Sequence, residues 1–182
     1  QFLTGFIKQS ATIKRIKMTN ISMSENNPPK WTRAVAWFTN PHGLNNDKKL
    51  RQAVNGKVIL ITGASFGIGE ATAKRMASAG AVVLCVARTA EKLEEVVAAI
   101  RATGGQAFAY TTDLSKPEQA KTMVDTILRE HGHVDVLVNN AGRSIRRSIT
   151  LSVDRFHDFE RTMAINYLGP VQLVLALLPS MQ

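Results

Sequence analysis

The sequence predicts an α/β fold, a doubly wound parallel sheet with helices on both faces, and three observations predict it. From Lys57 onward, short apolar runs of strand length alternate with stretches whose apolar residues recur every three or four positions, giving β-α-β-α-β-α-β. The links between these elements are short, so each helix must carry the chain back across the sheet to start another parallel strand. Finally, Val58-Ile59-Leu60-Ile61-Thr62 runs through Gly63-Ala64-Ser65-Phe66-Gly67-Ile68-Gly69 straight into an Ala-rich helix. A strand that ends in glycines and opens a helix suits a phosphate. The first helical turn carries unpartnered N–H groups and a partial positive charge, and residues without a Cβ let an anion approach them.

The elements follow in order. After the first helix, Gly80 stops the chain and Ala81 to Ala87 read as a second apolar strand. Leu93, Val96, Val97 and Ile100 give a helical stripe closed by Gly104-Gly105. Residues 106–112 read as a third strand leading to Asp113. Ser115-Lys116-Pro117-Glu118 has the form of a capping box with proline in the first turn, and Ala120, Met123, Val124, Ile127 and Leu128 continue as a helix. Val134 to Asn139 is the fourth strand. The last helix carries Val171, Leu173, Val174, Leu175, Leu177 and Leu178. Leaving six such side chains partly wet forgoes roughly 1.5 to 3 kcal/mol each.

Ahead of this domain, residues 1–30 read as a basic, disordered leader, with a transit-type segment as the alternative. Residues 31–54 read as a short amphipathic helix and linker, with Trp31, Ala34, Val35 and Phe38 on one face. That face either packs on the following domain or touches a membrane surface or partner. The formal charge of +9 is concentrated early: residues 1–51 hold nine Lys/Arg against Glu25 and Asp47, whereas residues 52–182 hold 14 against 12. A nearly neutral domain behind a basic leader argues against nucleic-acid binding. Cys85 is the single cysteine and lies in an apolar run, which predicts a core thiol and favours a reducing, cytoplasmic compartment. No uninterrupted apolar run reaches the roughly 18 to 20 residues that cross a bilayer. His42, His131, His133 and His157 show no ligand spacing, so they read as surface or turn residues and no metal site is expected.

The glycine loop has the spacing Gly-x-x-x-Gly-x-Gly after Thr62. Asp113-Leu114 follows the third strand, and Asn139-Asn140-Ala141-Gly142 follows the fourth. On these motifs residues 55–182 resemble the short-chain dehydrogenase/reductase family. The resemblance implies a partial Rossmann-type domain, truncated after the helix that follows the fourth strand, binding NADP(H). It implies cofactor contacts from Gly63, Ser65, Phe66, Gly67, Ile68, Asp113, Leu114, Asn140, Ala141 and Gly142. Arg88, at the tip of the second strand where an acidic residue would favour NAD(H), suits a 2′-phosphate through its planar fork. The plain alternative there is a surface arginine.

Arg143-Ser144-Ile145-Arg146-Arg147-Ser148 and the stretch from Asp154 to Met163 look like the family branch that includes bacterial fatty acyl-CoA reductases. That implies a carbonyl or acyl-CoA thioester substrate, with the basic loop either facing coenzyme A phosphates or simply solvated. Asn166 matches the asparagine of the family's catalytic tetrad, whose role is to distort a helix so that a carbonyl holds a water. Pro170 supports such a distortion, and the alternative is an ordinary polar residue in a helix. The family's Tyr-x-x-x-Lys acid is missing: Tyr110 is followed four positions on by Leu114, Tyr167 by Val171, and no lysine follows Lys121. The expectation is therefore a fragment of an oxidoreductase, inactive alone and homo-oligomeric when full length. The rival is a non-catalytic nucleotide-binding or interaction module.

Overall fold

Residues 47–181 are described by a computed structural model, and the leader and the helix expected over Trp31 to Phe38 lie outside them. Strands β1 (Val58–Thr62), β2 (Val82–Ala87), β3 (Gln106–Thr111) and β4 (Val136–Val138) form one parallel sheet in the order β3-β2-β1-β4. Leu60 sits beside Leu84 on one side and Leu137 on the other, so β1 is central. β4 is shorter than the apolar run from Val134 to Asn139. Val134 is buried ahead of the strand, and the chain past Val138 turns so that Asn140 N–H donates to the Val138 carbonyl at 3.1 Å.

The strand period of two divides the core between the two faces. Ile59, Ile61, Val83 and Cys85 point to one side, where α2 (Gly67–Ser78) brings Ala73 and Ala77 and α3 (Ala90–Ala102) brings Leu93, Val96, Val97 and Ile100. Val58, Leu60, Leu84 and Val86 point to the other, against Ala120, Met123, Val124 and Ile127 of α4 (Pro117–His131). The sheet is thus doubly wound. Cys85 is fully buried, and burial pushes its thiol up to about 12.

Helix α1 (Asp47–Val54), unannounced by the sequence pattern, precedes β1 and inserts Val54 into the α2/α3 face. It is tied to α2 by an Asp47–Arg75 ion pair and by Arg51 donating to the Ser78 carbonyl at 3.3 Å. The foot of the sheet is pinned by Asp135, whose carboxylate accepts from Lys57 Nζ and from the Val58 N–H, both at 2.8 Å.

The capping box is not formed. Lys116 occupies the cap position of α4 without a side-chain cap bond, while the Ser115 hydroxyl donates to Asp113 Oδ1 at 2.7 Å. Ser115 thus lies one residue ahead of the cap, with its hydroxyl turned to the Asp113 carboxylate. Of the histidines, His42 lies outside the described residues, His133 and His157 are exposed as expected, and His131 is partly buried. The His131 ring stands edge-on to Phe108 at 4.7 Å with Nε2 2.7 Å from the Tyr110 hydroxyl, and His133 and His157 lie beside Asp135 and Asp158. Among the described residues no group of three metal-ligating side chains occurs.

After β4 the chain forms a short 3-10 turn and then one continuous helix, Phe156–Ser180. It comprises α5 (Phe156–Met163), a π-helical turn (Ala164–Leu168), α6 (Gly169–Leu177) and a terminal 3-10 turn. By length and composition it could cross a bilayer; no uninterrupted apolar run marks it in the sequence because Asn166, Gly169-Pro170 and Gln172 interrupt its uncharged stretch from Thr162 to Ser180. Of the six apolar side chains expected to be partly wet, Leu173 and Leu177 are instead fully buried against α4, while Val171, Val174, Leu175 and Leu178 are exposed.

Candidate functional site

Ligands of open parallel sheets lie beyond the carboxyl ends of the strands, where the chain leaves neighbouring strands in opposite directions. Here that point is between β1 and β4. A cleft of about 660 Å³ opens there. All eleven residues proposed from the sequence for cofactor binding line it: Gly63, Ser65, Phe66, Gly67 and Ile68 from the glycine loop, Arg88 from the β2 tip, Asp113 and Leu114 after β3, and Asn140, Ala141 and Gly142 after β4.

The floor of the cleft is a clasp between β1 and β4. Thr62 is 1% exposed, and its hydroxyl oxygen accepts from the N–H groups of Asn140 at 3.0 Å and Ala141 at 2.9 Å. In return Asn140 Nδ2 donates to the carbonyls of Thr62 at 3.0 Å and Gly63 at 3.2 Å. A Cβ on Gly69 would collide with the Gly63 carbonyl oxygen and stand 2.6 Å from Asn140 Nδ2, so the loop closes this tightly only around glycine.

Gly67 differs. It has φ of 60° and nothing within 4 Å of where a Cβ would be, so its free side faces the open cleft. Phe66, at the cap of α2, makes no side-chain cap bond. The first N–H groups of α2 therefore lack a side-chain partner at the cleft, the donor set that a diphosphate takes up. The glycine cradle, the uncapped helix and an exposed guanidinium at Arg88 fit a phosphorylated dinucleotide.

At the far end, the Asp113 carboxylate accepts from the Ser115 N–H at 3.0 Å as well as from its hydroxyl. Burial alone would raise its pKa. The Ser115 bonds and the positive charges of Arg88 and Lys116 outweigh that and hold it below the ordinary carboxylate value.

Asn166 does not line the cleft; it works one layer behind. Its Oδ1 accepts from the Arg143 N–H at 2.8 Å and its Nδ2 donates to the Arg143 carbonyl at 2.7 Å, which fixes the main chain just after Gly142. It sits within the π-helical turn, ahead of Pro170.

The basic loop is not three free cations. Arg147 Nη1 donates to Asp158 Oδ2 at 2.9 Å, whereas Arg143 lines the cleft and Arg146 is exposed. Neither tyrosine supplies an acid to the cleft. Tyr110 donates to Glu130 at 2.6 Å, and burial together with that carboxylate raises its pKa.

Sequence reasoning missed Thr89, Ser115, Arg161 and Ile165 as cleft residues, and missed Thr62 as the hinge of its floor. A hydroxyl at the last position of an otherwise aliphatic buried strand was the available signal for Thr62. For Arg161 and Ile165 it was their spacing of four along one helix face.

Residues 57–182 match the family described as short chain dehydrogenase. A fatty acyl-CoA reductase of Acinetobacter baylyi is 59% identical over 131 residues, 72% of this chain and 44% of that protein. An uncharacterized oxidoreductase of Mycobacterium tuberculosis is 54% identical over 138 residues, 74% of this chain and 40% of that protein. The chain thus spans less than half the length of these relatives. Among solved structures, a metagenomic short-chain oxidoreductase in complex with NADP superposes with a TM-score of 0.67 at 36% identity, covering 71% of this chain and 58% of the other.

Proposed function

Because the chain belongs to the short-chain dehydrogenase family, we propose that it is the nucleotide-binding part of an NADP(H)-dependent oxidoreductase that reduces a carbonyl or a fatty acyl-CoA thioester. The observation that carries this reading is the cleft itself: a glycine cradle and an uncapped helix N-terminus on one wall, with an exposed guanidinium at the β2 tip. The glycine loop and α2 would hold the diphosphate, Arg88 the 2′-phosphate, and Asp113 with Leu114 the adenosine. When bound, a reduced nicotinamide cofactor supplies hydride.

This chain's own residues bind and orient. Asn140 and Thr62 keep the β1 and β4 tips at a fixed separation, so the loop donors and the Gly142 main chain meet the same ligand. Asn166 is a positioning residue that acts through Arg143. In this stretch neither tyrosine is followed four positions on by lysine. The acyl-CoA class is supported by the 59% identical relative of that name, and Arg143 and Arg146 remain free of ion pairs among the described residues for an anionic substrate. Homo-oligomerisation is supported by the exposed apolar face of α6.

The decisive experiment is Arg88→Asp in the intact protein, read as the ratio of NADP to NAD affinity by calorimetry. The ratio is expected to fall by about 1.5 to 3 kcal/mol in free energy, the worth of hydrogen bonds to a charged group. An unchanged ratio removes the 2′-phosphate role, and no heat with either nucleotide removes the cofactor. A non-catalytic nucleotide-binding or interaction module is the second reading, favoured by the exposed Val171, Val174, Leu175 and Leu178 of the last helix. It predicts nucleotide binding by the intact protein without turnover of any carbonyl or thioester.

A further inference from the structure

Three guanidinia converge on one buried carboxylate beside the cleft. Asp158, whose side chain is 5% exposed, accepts on Oδ2 from Arg147 Nη1 at 2.9 Å and from Arg155 Nε at 3.0 Å. On Oδ1 it accepts from Arg161 Nη2 at 2.6 Å, with His157 Nε2 3.6 Å away. Arg147 comes from the loop after β4, Arg155 from the cap of α5 and Arg161 from one turn inside it, so the cluster binds the loop to the helix. Of these arginines Arg161 alone lines the nucleotide cleft, and it remains half exposed.

Its position along the cleft follows from the helix face it shares. Arg161, Ile165 and Gly169 recur at a spacing of four. A Cβ on Gly169 would stand 2.9 Å from the Leu114 carbonyl oxygen, and Ile165 packs in the same cluster as Leu114. That face therefore looks onto the connector from Asp113 to Ser115, and Arg161 stands one turn further out over it. The surroundings are apolar on the inner side, from Leu114 and Ile165. One terminal nitrogen of Arg161 is committed to Asp158, which orients the guanidinium. Phosphate selection is already assigned to Arg88, on the tip of the neighbouring strand.

We propose that Arg161 stacks its guanidinium plane on the adenine base of the bound dinucleotide, with Asp158 as the positioning residue that holds it there. This rests on the nucleotide-binding reading above. A planar, weakly hydrated cation fixed at one edge is suited to a ring face, and an apolar floor of Leu114 and Ile165 completes a slot for a flat base.

The test uses the intact protein and three probes: NADP, NAD and nicotinamide mononucleotide, which lacks adenine. Arg161→Ala is expected to weaken NADP and NAD by the same factor, roughly 2- to 30-fold, leaving their ratio and the mononucleotide affinity unchanged. Arg161→Lys, which keeps the charge without the plane, is expected not to restore binding. Asp158→Asn is expected to raise the KM for nucleotide without changing kcat at saturation, and to add little when combined with Arg161→Ala. Should Asp158→Asn fail to fold, the two Arg161 variants decide alone. Unchanged affinities overturn the proposal, and so does a shift in the NADP/NAD ratio, which would mean a phosphate contact. If the unaltered protein binds neither dinucleotide, the cofactor reading itself falls; if it binds both and Arg161→Ala binds equally well, only the stacking does.

Discussion

Replacing Thr62 by valine tests whether the floor of the cleft is held by polar bonds or by packing. The two side chains are nearly isosteric, and valine suits a buried strand position at least as well, so burial and strand preference alone predict a neutral or stabilising change. The hydrogen bonds predict the opposite. Thr62 Oγ1 accepts from Asn140 N–H at 3.0 Å and Ala141 N–H at 2.9 Å, and its weaker donation to the Val138 carbonyl spans 3.4 Å. Each lost bond costs about 1 kcal/mol. The Asn140 N–H keeps its bond to the Val138 carbonyl at 3.1 Å and both N–H groups are only partly buried, so little desolvation penalty is added and the total is about 2 kcal/mol. Thr62→Ser keeps the acceptor and loses one buried methyl, about 1 kcal/mol. Urea denaturation of the intact protein should therefore rank the native residue above serine and serine above valine, with NADP affinity falling in the same order. A valine variant as stable as the native protein would refute the argument.

Other perturbations separate the remaining contributions. Gly69→Ala places a methyl against the Gly63 carbonyl and Asn140 Nδ2 and should cost about 1 to 3 kcal/mol through overpacking; an unchanged urea midpoint would show that the loop relaxes freely. Asp135 is held below its ordinary pKa chiefly by the Lys57 hydrogen bond, then by the Val58 N–H. A carboxylate lowered on folding stabilises above its unfolded value of about 3.9 and loses that contribution as pH falls through the lower folded value. Asp135→Asn should thus reduce stability at pH 7 and flatten the acid limb of midpoint against pH, and parallel acid limbs would contradict the pairing. Cys85, buried and with its thiol pushed up to about 12, should resist a thiol reagent in the native protein and react only as fast as the domain opens; prompt labelling under native conditions would contradict its burial.

What the sequence made legible was whatever chemistry is contiguous in the chain. The run from Val58 to Gly69 states a strand, its turn and its helix in consecutive residues, and the strand tips at Arg88 and Asp113 follow from the period of the elements. The residues that meet across the sheet were not legible, because pairing is decided by packing between distant segments. Thr62 bonds to Asn140 across 78 positions, and nothing in either local pattern announces the other. Ser115 has the right neighbours for a cap, yet its hydroxyl goes to Asp113. The charges of α5 look like a solvated face, and only the fold shows that Asp158 is turned inward with three arginines closing around it.

The cleft thus has two kinds of wall with different physical characters. Its floor, Thr62, Asn140 and the loop glycines, is continuous with the β1–β4 core, so a change there disturbs the seam between two strands and must alter stability and affinity together. Its far wall at Arg88 is an exposed guanidinium at the tip of an already folded strand, where pairing adds little to folding, whereas Arg161 also holds the buried Asp158 carboxylate and its loss should cost stability as well. Changes at Arg88 should leave denaturation midpoints almost untouched while altering nucleotide binding. Plotting affinity loss against stability loss for variants of Arg88 and of the floor would therefore give two branches rather than one line. If the Arg88 variants fell on the same line as those of Thr62 and Gly69, Arg88 would be acting as structure and not as a ligand contact.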